Sequence, residues 1–139
     1  MAERTFTLEI VTPDRTVVSD DDVVSLVVPG EQGYLGILAN HARLMTELTI
    51  GEVTLRRSDG QEVHIATSRG FMEVADNKVT VLADSAERAE EIDVERARQA
   101  LERAEERLAR AAEEGLDFAR AEAAMKRALN RLRVAERVV

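Results

Sequence analysis

The residues of this chain best placed to do chemistry are arginines. Arg96 and Arg103 lie seven apart in one proline-free stretch of helical periodicity, and Arg127 and Arg131 lie four apart in a second. Gly115 separates the two stretches. A chain folding back there brings Arg103 and Arg127, each 12 residues from the fold point, to the same level. Arg96, 19 residues before it, and Arg131, 16 after it, then fall about one turn apart at ~1.5 Å per residue. Spacings of seven and four keep each pair on one helix face, so four guanidiniums converge on one patch. Arg127 and Arg131 have no acid three or four positions away, whereas Arg103 has Glu106 and Arg96 has Asp93. Clustered guanidiniums without acids repel one another, and their forked donors match phosphate oxygens. Two readings stay open: a site for a polyanion, or arginines that each bend into solvent, as Arg107, also without a local acid, would do.

Other chemistry is poorly represented. With no cysteine there is no disulfide scaffold, thiol nucleophile or cysteine metal site. Two histidines, His41 and His64, do not suggest a multi-histidine metal centre. His64 alternates with Val63 and Ile65 and is expected on an outward face; His41 reads as a loop contact or a plain turn residue. The segment GEQGYLG at 30–36 is neither a dinucleotide fingerprint nor a P-loop, and its glycines are expected to serve turns. Ser68 lacks a nucleophile-elbow context, and spacing singles out no carboxylate pair, so an independent enzyme is not expected. A net charge of −8 with only Phe6, Tyr34, Phe71 and Phe118 as aromatics argues against nucleic acid as a partner. No run of 18 apolar residues and no signal-peptide core are present, so the expectation is an intracellular protein without a transmembrane segment.

The elements that must position the arginines follow from a division of the chain. Residues 1–91 hold 17 acids and 8 bases, net −9, whereas residues 92–139 hold 10 acids and 11 bases, net +1. Both prolines and six of seven glycines precede residue 71. The first region reads as sheet: residues 5–11 alternate through Phe6, Leu8 and Ile10, and 23–28 form a β-branched apolar run ended by Pro29-Gly30. Candidate strands at 48–56 and 61–67 flank Ser58-Asp59-Gly60, and a further pair from Phe71 to Val74 and Val79 to Leu82 flanks Asp76-Asn77. Such spacing suggests a sandwich or a barrel.

The second region reads as an antiparallel helical hairpin. Asp93 is a good N-cap, and Gly115 a stop. One seam position carries Val94, Leu101, Leu108, Phe118, Met125, Leu132 and Val139; the other is alanine at 97, 104, 111, 121, 128 and 135. A buried Leu contributes about 1.5–3 kcal/mol and a methyl ~0.8, so the seam holds weakly. It fits either an ordinary small-residue coiled coil or a switch whose two packings differ by a few kcal/mol.

Three segments carry a family resemblance: VVPGEQGYLGILANHARLM, SRGFMEVADNKVTVLADSAERAEEID and KRALNRLRVAE. In order and over essentially the whole chain, they resemble the epsilon subunit of bacterial F-type ATP synthase. The resemblance implies an α+β fold, with a ten-stranded β-sandwich (residues 1–87) followed by a C-terminal antiparallel two-helix hairpin (88–139). It implies a non-catalytic central-stalk rotor subunit, bound to the gamma subunit and the c-ring on the cytoplasmic face of the bacterial plasma membrane. Its hairpin would fold down, or extend along gamma towards the alpha and beta subunits and inhibit ATP hydrolysis. Members that bind ATP on the folded hairpin carry an Ile/Leu-Asp-x-x-Arg-Ala motif, present here as Ile92-Asp93-Val94-Glu95-Arg96-Ala97. Carried over by position, the ATP residues are Glu87, Ile92, Asp93, Arg96, Ala97, Arg103, Arg127 and Arg131. ATP would act as a regulatory ligand that is not hydrolysed, with or without magnesium. Tyr34 and His41 fall at the rotor-ring contact. Two departures stand out: Ala39-Asn40-His41-Ala42-Arg43 replaces Pro-Gly-His-x-Pro, which puts the rigidity of this loop in question, and Tyr34 replaces an acidic or small polar residue.

Overall fold

A computed structural model describes residues 4–114 and 117–138. The chain divides into two compact units, the first ending at Arg88 and the second beginning at Ala89.

The first unit holds nine strands among the described residues: β1 Phe6–Val11, β2 Thr16–Gly30, β3 Gly33–Leu38, β4 Leu44–Leu48, β5 Gly51–Arg57, β6 Glu62–Thr67, β7 Gly70–Ala75, β8 Lys78–Ala83 and β9 Ala86–Arg88. The ten strands implied by resemblance are therefore nine here. Strand order is β1-β8-β7-β4-β2-β5-β6-β9, with β3 added beside β2 and β1 also paired to β2. The long β2 belongs to both layers: Thr16 to Val23 pair with β1, and the later half pairs with β3 and β5. All pairings are antiparallel except β1 with β8. Alternation in β1 buries Phe6, Leu8 and Ile10, which meet Val79, Val81, Met72 and Val74 from one layer and Leu26, Val53, Leu55 and Ile65 from the other.

The structure corrects several strand expectations. The 23–28 run is the later part of a strand that starts at Thr16. That strand includes three consecutive aspartates, Asp20-Asp21-Asp22, of which Asp20 and Asp22 meet Arg57 on β5. Nε of Arg57 lies 2.7 Å from Asp20, and the guanidinium also reaches Asp59 at 2.9 Å and Asp22 at 3.8 Å. GEQGYLG is not only turns: Gly33 opens β3 with φ 129, and Gly36 continues it, paired to Val27. The 48–56 candidate is two strands, since Leu48 ends β4 and β5 begins at Gly51. The Asp76-Asn77 turn forms as expected, with φ of 50 and 58. His64 faces outward from β6 but is half-buried between Glu52 and Glu62, at 3.5 and 3.4 Å.

The last strand, β9, is tied down by arginines as well as by its ladder to β6. Arg88 donates to the carbonyl of Val17 at 3.1 Å, and Arg15 donates to the carbonyl of Ala86 at 3.3 Å. Val17 is buried, so the Arg88 bonds satisfy an oxygen that water reaches poorly.

The second unit comprises a 3-10 turn, Ala89–Glu91, then α1 Val94–Glu114 and α2 Phe118–Ala135, the two helices forming a hairpin. Asp117 caps α2 by accepting the Arg120 amide. Gly115 and Val139 lie outside the described residues. The seam is carried by the alanines: Ala97, Ala104, Ala111, Ala121 and Ala128 are all buried. Their large counterparts flank it. Leu101, Leu108, Met125 and Leu132 are half-buried, while Val94 and Phe118 are exposed. Towards the end of α2, Val134 is buried and Ala135 is only half-buried, as the drift of a 3.6-residue helix against a 3.5-residue repeat dictates.

Candidate functional site

The arginine face is built on the hairpin. Asp93 holds the start of α1: its Oδ1 accepts the Arg96 amide at 3.1 Å and its carbonyl accepts the Ala97 amide at 3.0 Å. Its carboxylate thus acts on the helix start and favours the positive end of the helix dipole. Arg96 follows on the exposed side, and Arg103 stands two turns further, ~10.5 Å along the axis. Ile92 and Ala97 are buried, so these two motif residues pack the helix start. On α2, Arg127 is exposed and Arg131, one turn on, is half-buried. Asn130 between them is buried, a mid-helix polar residue that periodicity alone did not single out. Glu87 stands apart from this set in the chain: it lies on β9 in the first unit, opposite Ala66 of β6.

Some basic residues of the hairpin are compensated within their own helix. Arg98 pairs with Glu95 at 3.7 Å, and Lys126 pairs with Glu122 at 3.4 Å, each within its own helix. Among the described residues, no carboxylate lies within ion-pair reach of Arg96, Arg103 or Arg127. Glu106, three positions after Arg103, does not close the pair that its spacing allows. Arg107, Arg120 and Arg133 are likewise exposed without an ion pair among the described residues, so uncompensated guanidiniums, whose forked donors match the oxygens of an anion, stand on both helices. No group of three or more metal-ligating side chains occurs among the described residues.

The two residues assigned to a rotor-ring contact sit on the first unit, and the structure does not bring them together. Tyr34 lies near the start of β3, 61% exposed, with its hydroxyl accepting the Glu52 amide at 3.2 Å. His41 lies beyond the other end of β3, in the connection to β4. Tyr34 and Leu38 alone are about 13 Å apart at the rise of a strand. His41 Nδ1 lies 2.7 Å from the Ala42 carbonyl, which fixes Nδ1 as the protonated nitrogen. Asn40 before it takes a left-handed φ of 62.

The β-sandwich domain of the ATP synthase delta/epsilon chain matches residues 5–89, and the long α-helix domain of the same chain matches residues 90–136. This chain belongs to the ATP synthase delta/epsilon-chain family. The ATP synthase epsilon chain of Moorella thermoacetica is 56% identical over 92% of this chain and 94% of its own length. That of Nitratidesulfovibrio vulgaris is 50% identical over 95% and 96%. Among solved structures, a chain of the Euglena gracilis mitochondrial ATP synthase (OSCP/F1/c-ring) superposes with a TM-score of 0.73 at 25% identity, covering 88% of this chain and 76% of that one. A chain from the Tetrahymena thermophila mitochondrial ATP synthase central stalk and c-ring shares the fold, with a TM-score of 0.58 at 16% identity. The two epsilon-family domains meet between residues 89 and 90, one residue beyond the division between the two compact units.

Proposed function

We propose that this epsilon-family chain is a non-catalytic central-stalk subunit of a proton-translocating ATP synthase, linking the gamma subunit to the c-ring, and that its C-terminal hairpin is an ATP-stabilised regulatory switch. The rotor reading rests on family membership along both units. An outer sheet face supports it: Met45 and Leu82 are 64% and 53% exposed beside half-buried Phe71, with Glu73 and Glu47 opposite Met45 and Phe71, a mixed apolar and acidic face suited to a protein partner. No helix among the described residues is long and apolar enough to cross a membrane, so attachment at the cytoplasmic face of the plasma membrane would run through gamma and the ring.

The switch reading rests on one observation, the exposed and acid-free state of Arg96, Arg103 and Arg127. These guanidiniums suit a triphosphate, with Arg131 joining them and Asp93 holding the start of the helix that carries Arg96; magnesium would enter with the nucleotide. ATP bound only to the folded hairpin shifts its population by differential affinity. The alanine seam makes that shift feasible, because the two helices bury little apolar area against each other. Released, α2 would carry its excess of positive charge to an acidic surface of the alpha and beta subunits and inhibit hydrolysis there. The resident chemistry is binding and not turnover.

Co-purification tests the rotor reading. Tagged full-length chain is expected to retain gamma and the ring from detergent extracts of its own membranes, and their absence would remove it. A rotor coupler that never binds nucleotide is the alternative, and titration of the full chain with ATP separates the two.

A further inference from the structure

The loop around His41 lacks the prolines that would stiffen it, yet one side chain from another part of the sheet holds it. Asn77 Oδ1 accepts the Asn40 amide at 2.7 Å, across 37 positions of sequence. The same side chain donates through Nδ2 to the Thr5 carbonyl at 3.0 Å, and the Asn77 backbone carbonyl accepts the Thr7 amide at 3.2 Å. These bonds fix the orientation of the Asn77 amide: turned over, it would set NH2 against an N–H and oxygen against a carbonyl. Asn77 occupies a left-handed position, φ 58, in the β7–β8 turn, a conformation that asparagine tolerates and most side chains do not. Strand β1, the β7–β8 turn and the β3–β4 loop are therefore joined through one amide group. Beyond it, Asn40 is itself left-handed and His41 is oriented by the Ala42 carbonyl.

We propose that Asn77 is the positioning residue for the His41 loop, replacing proline stiffness with a hydrogen-bonded latch that presents the His41 ring to the rotor ring. The proposal rests on the reading of His41 as a ring contact. Two variants separate the latch from the turn. Asn77→Gly keeps the left-handed backbone but removes both side-chain bonds, whereas Asn77→Asp keeps the oxygen facing Asn40 and replaces the donor to Thr5 with a carboxylate oxygen that the carbonyl repels.

The experiment measures amide exchange of the full chain by NMR, together with affinity for a purified gamma–ring assembly. Asn77→Gly is expected to speed exchange at Asn40 about tenfold and to weaken assembly binding several-fold, while Asn77→Asp, which keeps the acceptor for Asn40 but repels the Thr5 carbonyl, falls between Asn77→Gly and wild type on both readouts. His41→Ala is measured beside them. Unchanged exchange in Asn77→Gly, or equal losses in both Asn77 variants, overturns the latch. A loss of binding in His41→Ala without one in Asn77→Gly overturns the positioning role. Full binding by His41→Ala removes the ring-contact reading and the positioning role with it, and in that case the exchange data still decide whether the latch exists.

Discussion

Nε of Arg57 on β5 lies 2.7 Å from Oδ2 of Asp20 in the middle of β2, and this contact offsets charge in a strand that holds three consecutive aspartates. The guanidinium also donates to Asp59 at 2.9 Å, and Ser58 donates to Asp22 at 2.6 Å, so the β5–β6 turn and the acidic stretch of β2 hold one another. The hydrogen bond from Arg57 holds the Asp20 carboxyl below its ordinary value of 3.8, and the same contact raises Arg57 further above its usual range.

A lowered carboxyl favours the folded state at neutral pH. The contribution is complete above the ordinary value near 3.8 and is lost as pH falls through the folded value beneath it. Asp20→Asn is therefore expected to melt below wild type at pH 7, with the gap closing as pH falls from about 4 towards 2. Thermal unfolding of both proteins across that range checks this; a gap independent of pH would assign the loss to packing rather than to charge.

Ala104 is 1% exposed on the alanine seam of the hairpin. Ala104→Leu should force α1 and α2 apart and destabilise the hairpin by about 1–3 kcal/mol. The expected record is a fall in helical circular dichroism, with amide protection of β1, β5 and β8 unchanged. Loss of sheet protection would contradict the separation into two units.

Gly70 opens β7 against the end of β8, where a Cβ would press on the Leu82 carbonyl and stand 3.0 Å from Ala83 Cα. Both obstacles are backbone. Gly70→Ala should cost about 1–3 kcal/mol, lowering the melting midpoint of a unit this size by about 4–8 °C per kcal/mol. A midpoint within a degree of wild type would contradict the close approach.

Much of this fold was legible because it depends on local pattern. The alternation of Phe6, Leu8 and Ile10, the Asp76-Asn77 turn and the Asp93 cap each need only neighbouring residues to be read. What stayed hidden depends on distant partners. The Asp20-Asp21-Asp22 stretch lies within a strand paired to β1, with Asp20 and Asp22 meeting Arg57 from β5. Strand β3 is hidden by Gly33 and Gly36 and stands at the side of β2, where one ladder suffices. Strand β9 has three residues, too few for a period, and is held by Arg15 and Arg88. At the candidate site, sequence gave the four arginines and their shared faces. That Glu106 leaves Arg103 uncompensated while Glu95 and Glu122 take their neighbours is a matter of side-chain geometry, which spacing does not determine.

Isothermal titration of the full chain with ATP, with and without magnesium, tests the switch most directly. The account predicts one saturable site, weakened at least tenfold in Arg127→Ala, about the worth of one charge-assisted hydrogen bond. Arg107→Ala, on the same helix as Arg103 but outside the proposed set, should bind as wild type does. No heat at millimolar ATP, or an Arg127→Ala isotherm identical to wild type, would contradict the account and leave a rotor coupler without a nucleotide switch.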